Sequence, residues 1–194
     1  YRLSETSEVR DRRFEFIILE DKTINAFAAP GGIIGINLGM FLNTEREGEL
    51  ASVMCHELAH LSQRHFARSQ NRNSPLANAL MILGSIAVAA ASRNPEAILI
   101  APAAMQQMSI NYTRSNEKEA DRIGFNNLVK AGFDPNDMTM MFQRMQDKYQ
   151  NEDSEQFSYL MTHPLPSERL TDMRIRADGL KNNSKNSFRD NIDF

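Results

Sequence analysis

The sequence predicts an α+β fold that is mostly helical and carries a small antiparallel sheet. Short runs of β-branched and aromatic residues are confined to residues 14–37. Beyond residue 44, apolar residues recur at helical spacing. With 194 residues, 41% hydrophobic and 24% charged, the chain can build one domain with a real core. We expect that domain to cover residues 1–180 and residues 181–194 to form a polar linker or tail.

Charge and cysteine content exclude two classes of protein. The 22 Lys and Arg residues against 25 Asp and Glu residues give a net charge of −3, without the basic excess of a general nucleic-acid binder. A single cysteine rules out an internal disulfide framework. The chain starts at Tyr1 and no apolar leader follows, so we expect either a removed leader or a fragment.

The first third of the chain contains the predicted strands. Residues 1–13 are strongly charged and predict a short helix. Residues 14–20, 23–29 and 33–37 are strand candidates, separated by the turn pair Asp21-Lys22 and by the Pro-Gly-Gly sequence at 30–32. Three short segments so closely spaced predict an antiparallel sheet.

The remaining predicted elements are helices. The first begins at Thr44, where Thr44 and Glu47 have the spacing of a capping box, and it ends within residues 71–75. Later helices are predicted over 102–130, 136–149 and 167–180. The segment 131–135 stops the first of these three, because it contains both glycine and proline.

Residues with metal chemistry lie in the first long helix. Its sequence HELAH spans residues 56–60. Residues four apart on a helix project side by side, so His56 and His60 can bind one Zn²⁺ through nitrogen. Glu57 can reach a zinc-bound water and take its proton. Such a match arises rarely by chance in a chain with four histidines, and two unrelated histidines are the alternative.

A catalytic zinc needs a third protein ligand and an open position for water. His65 lies nine residues from His56, about 180° around the helix, so we reject it as a ligand and expect a surface or outer contact. Glu117 and Asp121 share a helical face, so Glu117 can close the ligand set while Asp121 orients a ligand imidazole. Spacing alone leaves an ordinary charged face equally open.

Several motifs together resemble one family of peptidases. HELAH is followed by NEKEADRIG at 116–124 and THPLPSER at 162–169, and NAFAAPGG at 25–32 also matches. The sequence resembles the zinc metallopeptidases that include HtpX, the CAAX prenyl endopeptidases and the BepA-like periplasmic proteases. This resemblance implies a zincin-like fold of the gluzincin type and proteolysis, with Glu117 as third zinc ligand and Asp121 as the partner of a histidine.

The BepA-like subgroup implies a setting as well as a chemistry. Its members are exported to the periplasm and act in outer-membrane protein assembly, so the resemblance implies unfolded or misfolded protein substrates and a link to the outer-membrane assembly machinery. They carry a tetratricopeptide-repeat domain after the protease, and this sequence contains no such repeat. The segment 76–92 is apolar and leaves membrane association open, although it is near the lower length limit for a span.

Two further segments have competing interpretations. By position His163 matches a histidine that can reach the zinc and hold such an enzyme latent. Stabilisation of the oxyanion and a purely structural loop role are the alternatives. Peptidases of this type bind substrate as an added strand, so Ala26, Phe27, Ala28 and Ala29 are candidates for the substrate edge strand. An ordinary structural strand is the alternative there.

The remaining candidates favour structural roles. Cys55 is expected to be a small buried residue. Arg169 and Arg174 can hold carboxylates near the site, although a solvated face is the default for such residues. The sequence as a whole predicts a zinc endopeptidase. The alternatives are a zinc-containing chaperone or assembly scaffold with latent or no proteolysis, and a membrane-anchored protease.

Overall fold

The structure, a computed structural model, describes residues 2–9, 11, 13–72, 83, 100–151 and 158–183. The chain forms two compact units. One consists of Tyr1–Gln63 and Glu117–Phe194, and the other of Arg64–Asn116. Every candidate site residue named above, apart from the rejected His65, lies in the first unit.

The described residues form three strands and eight helices. The strands are β1 (Glu15–Leu19), β2 (Ala26–Ala29) and β3 (Ile33–Asn37). The helices are α1 (Arg2–Thr6), α2 (Leu38–Leu42), α3 (Glu47–Ser62), α4 (His65–Arg72), α5 (Ile100–Lys130), α6 (Asn136–Asn151), α7 (Ser158–Thr162) and α8 (Ser167–Asn183). The predicted α+β class, mostly helical with a small sheet, is confirmed.

The sheet is mixed, whereas the sequence predicted antiparallel pairing. Its strand order is β1-β3-β2, with β3 parallel to β1 and antiparallel to β2. Only β2 and β3 are joined by a tight turn, in which Gly31 and Gly32 adopt positive φ angles of 93° and 83°. The segment after β1 forms no hairpin, because the carbonyl of Asp21 accepts a hydrogen bond from the Gly39 N–H at the start of α2. The strand order places β2 at an edge of the sheet.

Helix α3 begins three residues later than predicted. The residue before its first turn is Arg46, without a side-chain cap, and the Thr44 hydroxyl donates to the carbonyl of Phe41. The predicted capping box is therefore wrong. Its function passes to Glu49, whose carboxylate accepts the Glu45 N–H and is also held by Arg144. A long-range ion pair thus selects a different glutamate from the one that local spacing indicates.

The helix also ends earlier than the sequence predicted. Gln63 closes α3 by donating its N–H to the carbonyl of Ala59. Arg64 then takes a left-handed conformation with φ of 53°, which interrupts the helix before α4. His65 is buried at the start of α4, so the expected surface position is wrong, and a role as an outer contact stays a prediction. The N-terminal helix is also shorter than predicted, because α1 covers only Arg2–Thr6 of the segment 1–13.

The core of the first unit lies between the sheet and helices α3, α6 and α8. The long helix that ends at Lys130 and the stop at Gly132, whose φ is 88°, match the sequence prediction. Helices α6 and α8 match as well, with later ends. Cys55 is fully buried as expected. The apolar segment 76–92, apart from Leu83, and the tail beyond residue 183 lie outside the described residues.

Candidate metal centre

Helix α3 presents the two histidines of the HELAH motif to one point. Their Nε2 atoms lie 3.0 Å apart, as the spacing of one helical turn predicts. His56 is completely buried, while the side chain of His60 keeps 16% of its surface exposed. Glu57, between them in sequence, is also buried. A buried pair of imidazoles beside a buried carboxylate is costly to fold unless a ligand or proton joins them.

Helix α5 brings Glu117 to the same point. Its Oε2 lies 3.3 Å from Nε2 of His56, and its Oε1 lies 3.3 Å from Nε2 of His60. The two helices can approach so closely because Gly124 has no side chain. A Cβ at that position would lie only 3.0 Å from the backbone nitrogen of His56. Two turns of α5 separate Gly124 from Glu117, so the glycine and the carboxylate lie on the same helical face.

His163 reaches the centre from the end of helix α7. Its Nδ1 lies 3.2 and 3.1 Å from the two carboxylate oxygens of Glu117 and 3.4 Å from Nε2 of His56. Its Nε2 lies 3.6 Å from Oε1 of Glu57. The ring stacks on Tyr159 with centroids 4.6 Å apart, and the backbone N–H of His163 donates to the Tyr159 carbonyl. The loop histidine is therefore fixed in place.

Two buried charged residues stand behind the cluster. Oδ1 of Asp121 lies 3.0 Å from Nδ1 of His56, on the side of the ring away from the cluster. Arg169 binds Asp121 through two nitrogens, at 2.6 and 2.7 Å. A third nitrogen of Arg169 lies 3.0 Å from Oε2 of Glu117. Arg169 is only 3% exposed, so these contacts are shielded from water.

The charges of the metal-free cluster follow from burial and hydrogen bonding. Burial acts to lower the pKa of His56, but hydrogen bonds to Asp121 and Glu117 outweigh it and raise that pKa to about 10. For His60 burial prevails, and the pKa lies below its ordinary value. Burial acts against ionisation of Glu117, yet hydrogen bonds from the histidines hold its pKa well below the usual range. The contacts of His56 with the two carboxylates therefore favour its imidazolium form, whereas burial disfavours that form at His60.

The four side chains form a group with the composition of a metal site. One ligand atom from each of His56, His60, Glu117 and His163 can be chosen so that all lie within 4.8 Å of one another. The structure thus brings together the residues expected to bind the metal, with Asp121 against His56 as expected. The functional roles of these residues remain predictions.

The sequence matches one protein family and several proteins of known name. The family described as Peptidase family M48 matches residues 1–177. A Vibrio cholerae protein, provisionally named a beta-barrel assembly-enhancing protease, is 49% identical over 84% of this chain and 34% of its own length. The beta-barrel assembly-enhancing protease of Escherichia coli O157:H7 is 41% identical over 87% of this chain and 35% of its own length. The mitochondrial metalloendopeptidase OMA1 of Schizosaccharomyces pombe is 29% identical over 87% of this chain and 48% of its own length.

The chain belongs to peptidase family M48. As a domain of this family it is a metalloprotease, and the family implies a metal ion. The chain spans about a third of the length of the two bacterial relatives. Within the residues that the structure describes, no helix is both long and apolar enough to cross a bilayer.

Arg169 of this M48 domain lies inside the site, although its residue type favours a solvated face. A solvated face was the default for Arg169, but the structure buries it against Asp121 and Glu117. The default does describe Arg174, which is exposed and donates to Gln143. The sequence feature that could have indicated burial of Arg169 is its place as the last residue of the THPLPSER motif, which also contains His163.

Proposed function

We propose that this M48 domain is a zinc-dependent endopeptidase in which His56, His60 and Glu117 bind the metal and Glu57 is the general base. The observation that carries the proposal is the convergence of three ligand side chains from two helices on one buried point. The two histidine nitrogens lie 3.0 Å apart, and each lies 3.3 Å from a Glu117 oxygen.

The donor set and its spacing fit zinc. Ligands about 2.0–2.1 Å from a tetrahedral zinc stand about 3.4 Å from one another. Five atom pairs that join His56, His60, Glu117 and His163, with both Glu117 oxygens included, are 3.0–3.4 Å apart, close to that value. With one atom from each residue, all separations are within 4.8 Å. Two imidazoles and one carboxylate are the ligand types of a catalytic zinc. Asp121 also supports this fit, since it would hold Nδ1 of His56 and leave Nε2 for the metal.

Glu57 is placed for proton transfer. Bound zinc would polarise the scissile carbonyl and lower the pKa of the attacking water. The Glu57 carboxylate takes the proton of that water and delivers it to the leaving amine. Oε1 of Glu57 is buried and has no hydrogen-bond partner among the described residues, so an acceptor is available beside the cluster. A metal scaffold would not need this carboxylate.

Strand β2 is proposed to bind the substrate. It is an edge strand of the sheet and packs against α3, the helix of the HELAH motif. Its outer edge can pair with an extended peptide through main-chain hydrogen bonds that carry little sequence information. The register runs from Ala26, opposite Ile36, to Ala29, opposite Ile33. This arrangement favours extended or unfolded segments as substrates.

His163 is proposed to hold the enzyme latent by filling the fourth ligand position. Its Nδ1 is 3.1 Å from Glu117 and 3.4 Å from His56, which are ligand-to-ligand separations. This proximity favours a ligand over an oxyanion donor and gives support to the second candidate function, a zinc-containing scaffold with latent proteolysis. The names of the bacterial relatives support a role of this domain in β-barrel assembly. A periplasmic location and a role in protein quality control are proposed from the sequence resemblance.

The proposal is tested by replacing Glu57 with glutamine. Zinc-loaded wild type and Glu57→Gln are compared on an unfolded protein substrate, with metal content assayed in both. We expect one zinc in each and at least about a 100-fold lower rate in the variant, because general-base catalysis is lost. Glu47→Gln, at the first turn of the same helix, is the control and keeps the wild-type rate.

Each other outcome has a distinct meaning. If wild type binds no zinc, the proposed ligand set is wrong. If Glu57→Gln cuts as fast as wild type, the assignment of the general base is wrong. If both proteins bind zinc and neither cuts, the domain is either latent or a scaffold, and cleavage by His163→Ala would show that it is a latent endopeptidase.

A further inference from the structure

We propose that Arg169 is the positioning residue of this metal centre, because one guanidinium fixes both carboxylates and the loop that carries His163. The inference rests on the proposed zinc site and concerns a residue that contacts no metal. Arg169 lies in the first turn of α8, where its own N–H donates to the carbonyl of Pro166. Its side chain reaches back into the site.

The guanidinium makes contacts with four acceptors. Nε and Nη2 bind the two oxygens of Asp121 at 2.6 and 2.7 Å. Nη1 lies 3.0 Å from Oε2 of Glu117 and donates to the carbonyl of Pro164 at 2.5 Å. Cζ of the guanidinium lies over the ring of Phe142, 5.6 Å from its centroid. All three nitrogens are thus engaged, and the group has one orientation.

The contact with Asp121 orients His56, the first proposed zinc ligand. Oδ1 of Asp121 is shared between Nη2 of Arg169 and Nδ1 of His56, at 2.7 and 3.0 Å. The arginine therefore sets the direction of the carboxylate that sets the direction of the imidazole. Because Asp121 and Arg169 are 1% and 3% exposed, water cannot replace either partner without a change in the packing.

The contact with Glu117 acts on the carboxylate ligand. Nη1 of Arg169 lies 3.0 Å from Oε2, whereas Oε1 lies 3.3 Å from Nε2 of His60. A cation beside one oxygen favours metal binding through the other, since the engaged oxygen has fewer lone pairs to share. Arg169 thereby restricts how Glu117 can approach the metal.

The contact with Pro164 acts on the loop. Pro164 directly follows His163, so a hydrogen bond to the Pro164 carbonyl restrains the backbone next to His163. The bond from Nη1 holds the loop on the same guanidinium that holds the two carboxylates. Lysine cannot reproduce this set of contacts, because its ammonium is a point charge and lacks the planar fork.

The test compares Arg169→Lys and Arg169→Gln with Arg174→Gln, an exposed arginine on the same helix. Zinc dissociation constants are measured by competition with a chromophoric chelator, and visible spectra are recorded after cobalt substitution. We expect zinc binding to weaken about 10- to 100-fold in both Arg169 variants, as for other residues that orient metal ligands. We also expect altered cobalt spectra in those variants, with Arg174→Gln unchanged.

A double variant tests whether Arg169 acts through Asp121. If it does, the losses of zinc affinity in Arg169→Lys and Asp121→Asn are not additive in the combined variant. Fully additive losses, or an unchanged affinity and cobalt spectrum in folded Arg169→Lys, would overturn the proposal.

Folding is monitored by circular dichroism without metal. If Arg169→Lys does not fold, the variant Asp121→Asn/Arg169→Gln removes both charges together and avoids a lone buried charge. A loss of zinc affinity larger than that of Asp121→Asn alone would support the proposal, because Arg169 also contacts Glu117 and Pro164. A loss no larger than that of Asp121→Asn would overturn it. Failure of the wild type itself to bind zinc would instead contradict the proposed zinc site.

Discussion

At the scale of single residues, the centre depends on a balance of charge around His56. Its ring is completely buried, with Asp121 3.0 Å from Nδ1 and Glu117 3.3 Å from Nε2. In the metal-free protein the imidazolium of His56 carries one N–H facing Asp121 and another facing Glu117. A metal ion and a proton therefore compete for Nε2 of His56, so metal binding should depend on pH.

Zinc binding is expected to tighten as the pH rises. The pKa of His56 is raised from 6.5 to about 10 in the metal-free fold. The contacts of the protonated ring with Asp121 and Glu117 therefore stabilise the fold fully below pH 6.5, and this contribution is lost as the pH rises toward 10. Zinc must displace this proton, so its dissociation constant should fall about tenfold per pH unit within that window. Calorimetric titration at pH 7.5 in two buffers of different ionisation enthalpy counts the protons released. Binding without proton release would contradict the charge assignment.

His163→Ala separates the interpretations of the loop histidine. If His163 fills the fourth ligand position, the variant should cleave an unfolded substrate faster than wild type and show a changed spectrum with cobalt. Loss of cleavage with an unchanged spectrum would indicate an oxyanion donor instead. No change in either measurement would leave only a structural role. Thr162→Ala, at the neighbouring position, is the control.

At the scale of elements, helices α3 and α5 must pack closely enough for their ligands to meet. Gly124 provides this contact, since a Cβ there would lie 3.0 Å from the His56 nitrogen and 3.1 Å from the Cys55 carbonyl oxygen. The contact is between backbones, which cannot move aside as a flexible side chain can. The glycine thus determines the distance between the HELAH helix and Glu117.

Gly124→Ala should therefore weaken zinc binding, although it changes no ligand. The added methyl group separates α5 from α3 by a few tenths of an ångström, and we expect zinc affinity to fall by at least about tenfold. Gly179→Ala is the matched control, because a Cβ at that helical position meets nothing within 4 Å. It should raise the free energy of unfolding by up to about 1 kcal/mol. Equal zinc affinities of the two variants would contradict this role for Gly124.

At the scale of the whole molecule, the centre joins parts of the chain that are distant in sequence. His56 and His163 are 107 residues apart, and Glu117 and His163 are 46 apart. All of them belong to the same compact unit. A bound metal therefore crosslinks α3, α5 and the segment after α7, and should stabilise the fold as a whole.

Removal of zinc should lower the thermal stability of the protein. Zinc at a 100-fold excess over its dissociation constant adds about 2.7 kcal/mol to the free energy of unfolding, which raises the Tm by roughly 5–10 °C. A chelator should reverse the shift in a thermal melt. Glu117→Gln should lose most of it, while Glu168→Gln, at an exposed residue paired with Lys118, should retain it. An equal shift in Glu117→Gln would contradict its assignment as a ligand.

The sequence by itself determined the elements and the local part of the site. Helical periodicity predicted α3, α5, α6 and α8, and the HELAH spacing placed His56 beside His60, because both features depend on neighbours within one or two turns. The three strands were predicted for the same reason, since they are short runs of β-forming residues.

Tertiary structure decided the features that depend on distant contacts. Strand order is one of them, because β3 lies between β1 and β2 in the sheet although β1 and β2 are consecutive in the sequence. The start of α3 is another, since Arg144 and Glu49 belong to different helices. The burial of Arg169 against Asp121, 48 residues away, is the third. Local propensity carries no information about such pairs, because their energy comes from packing and charge contacts that exist only once the chain has folded.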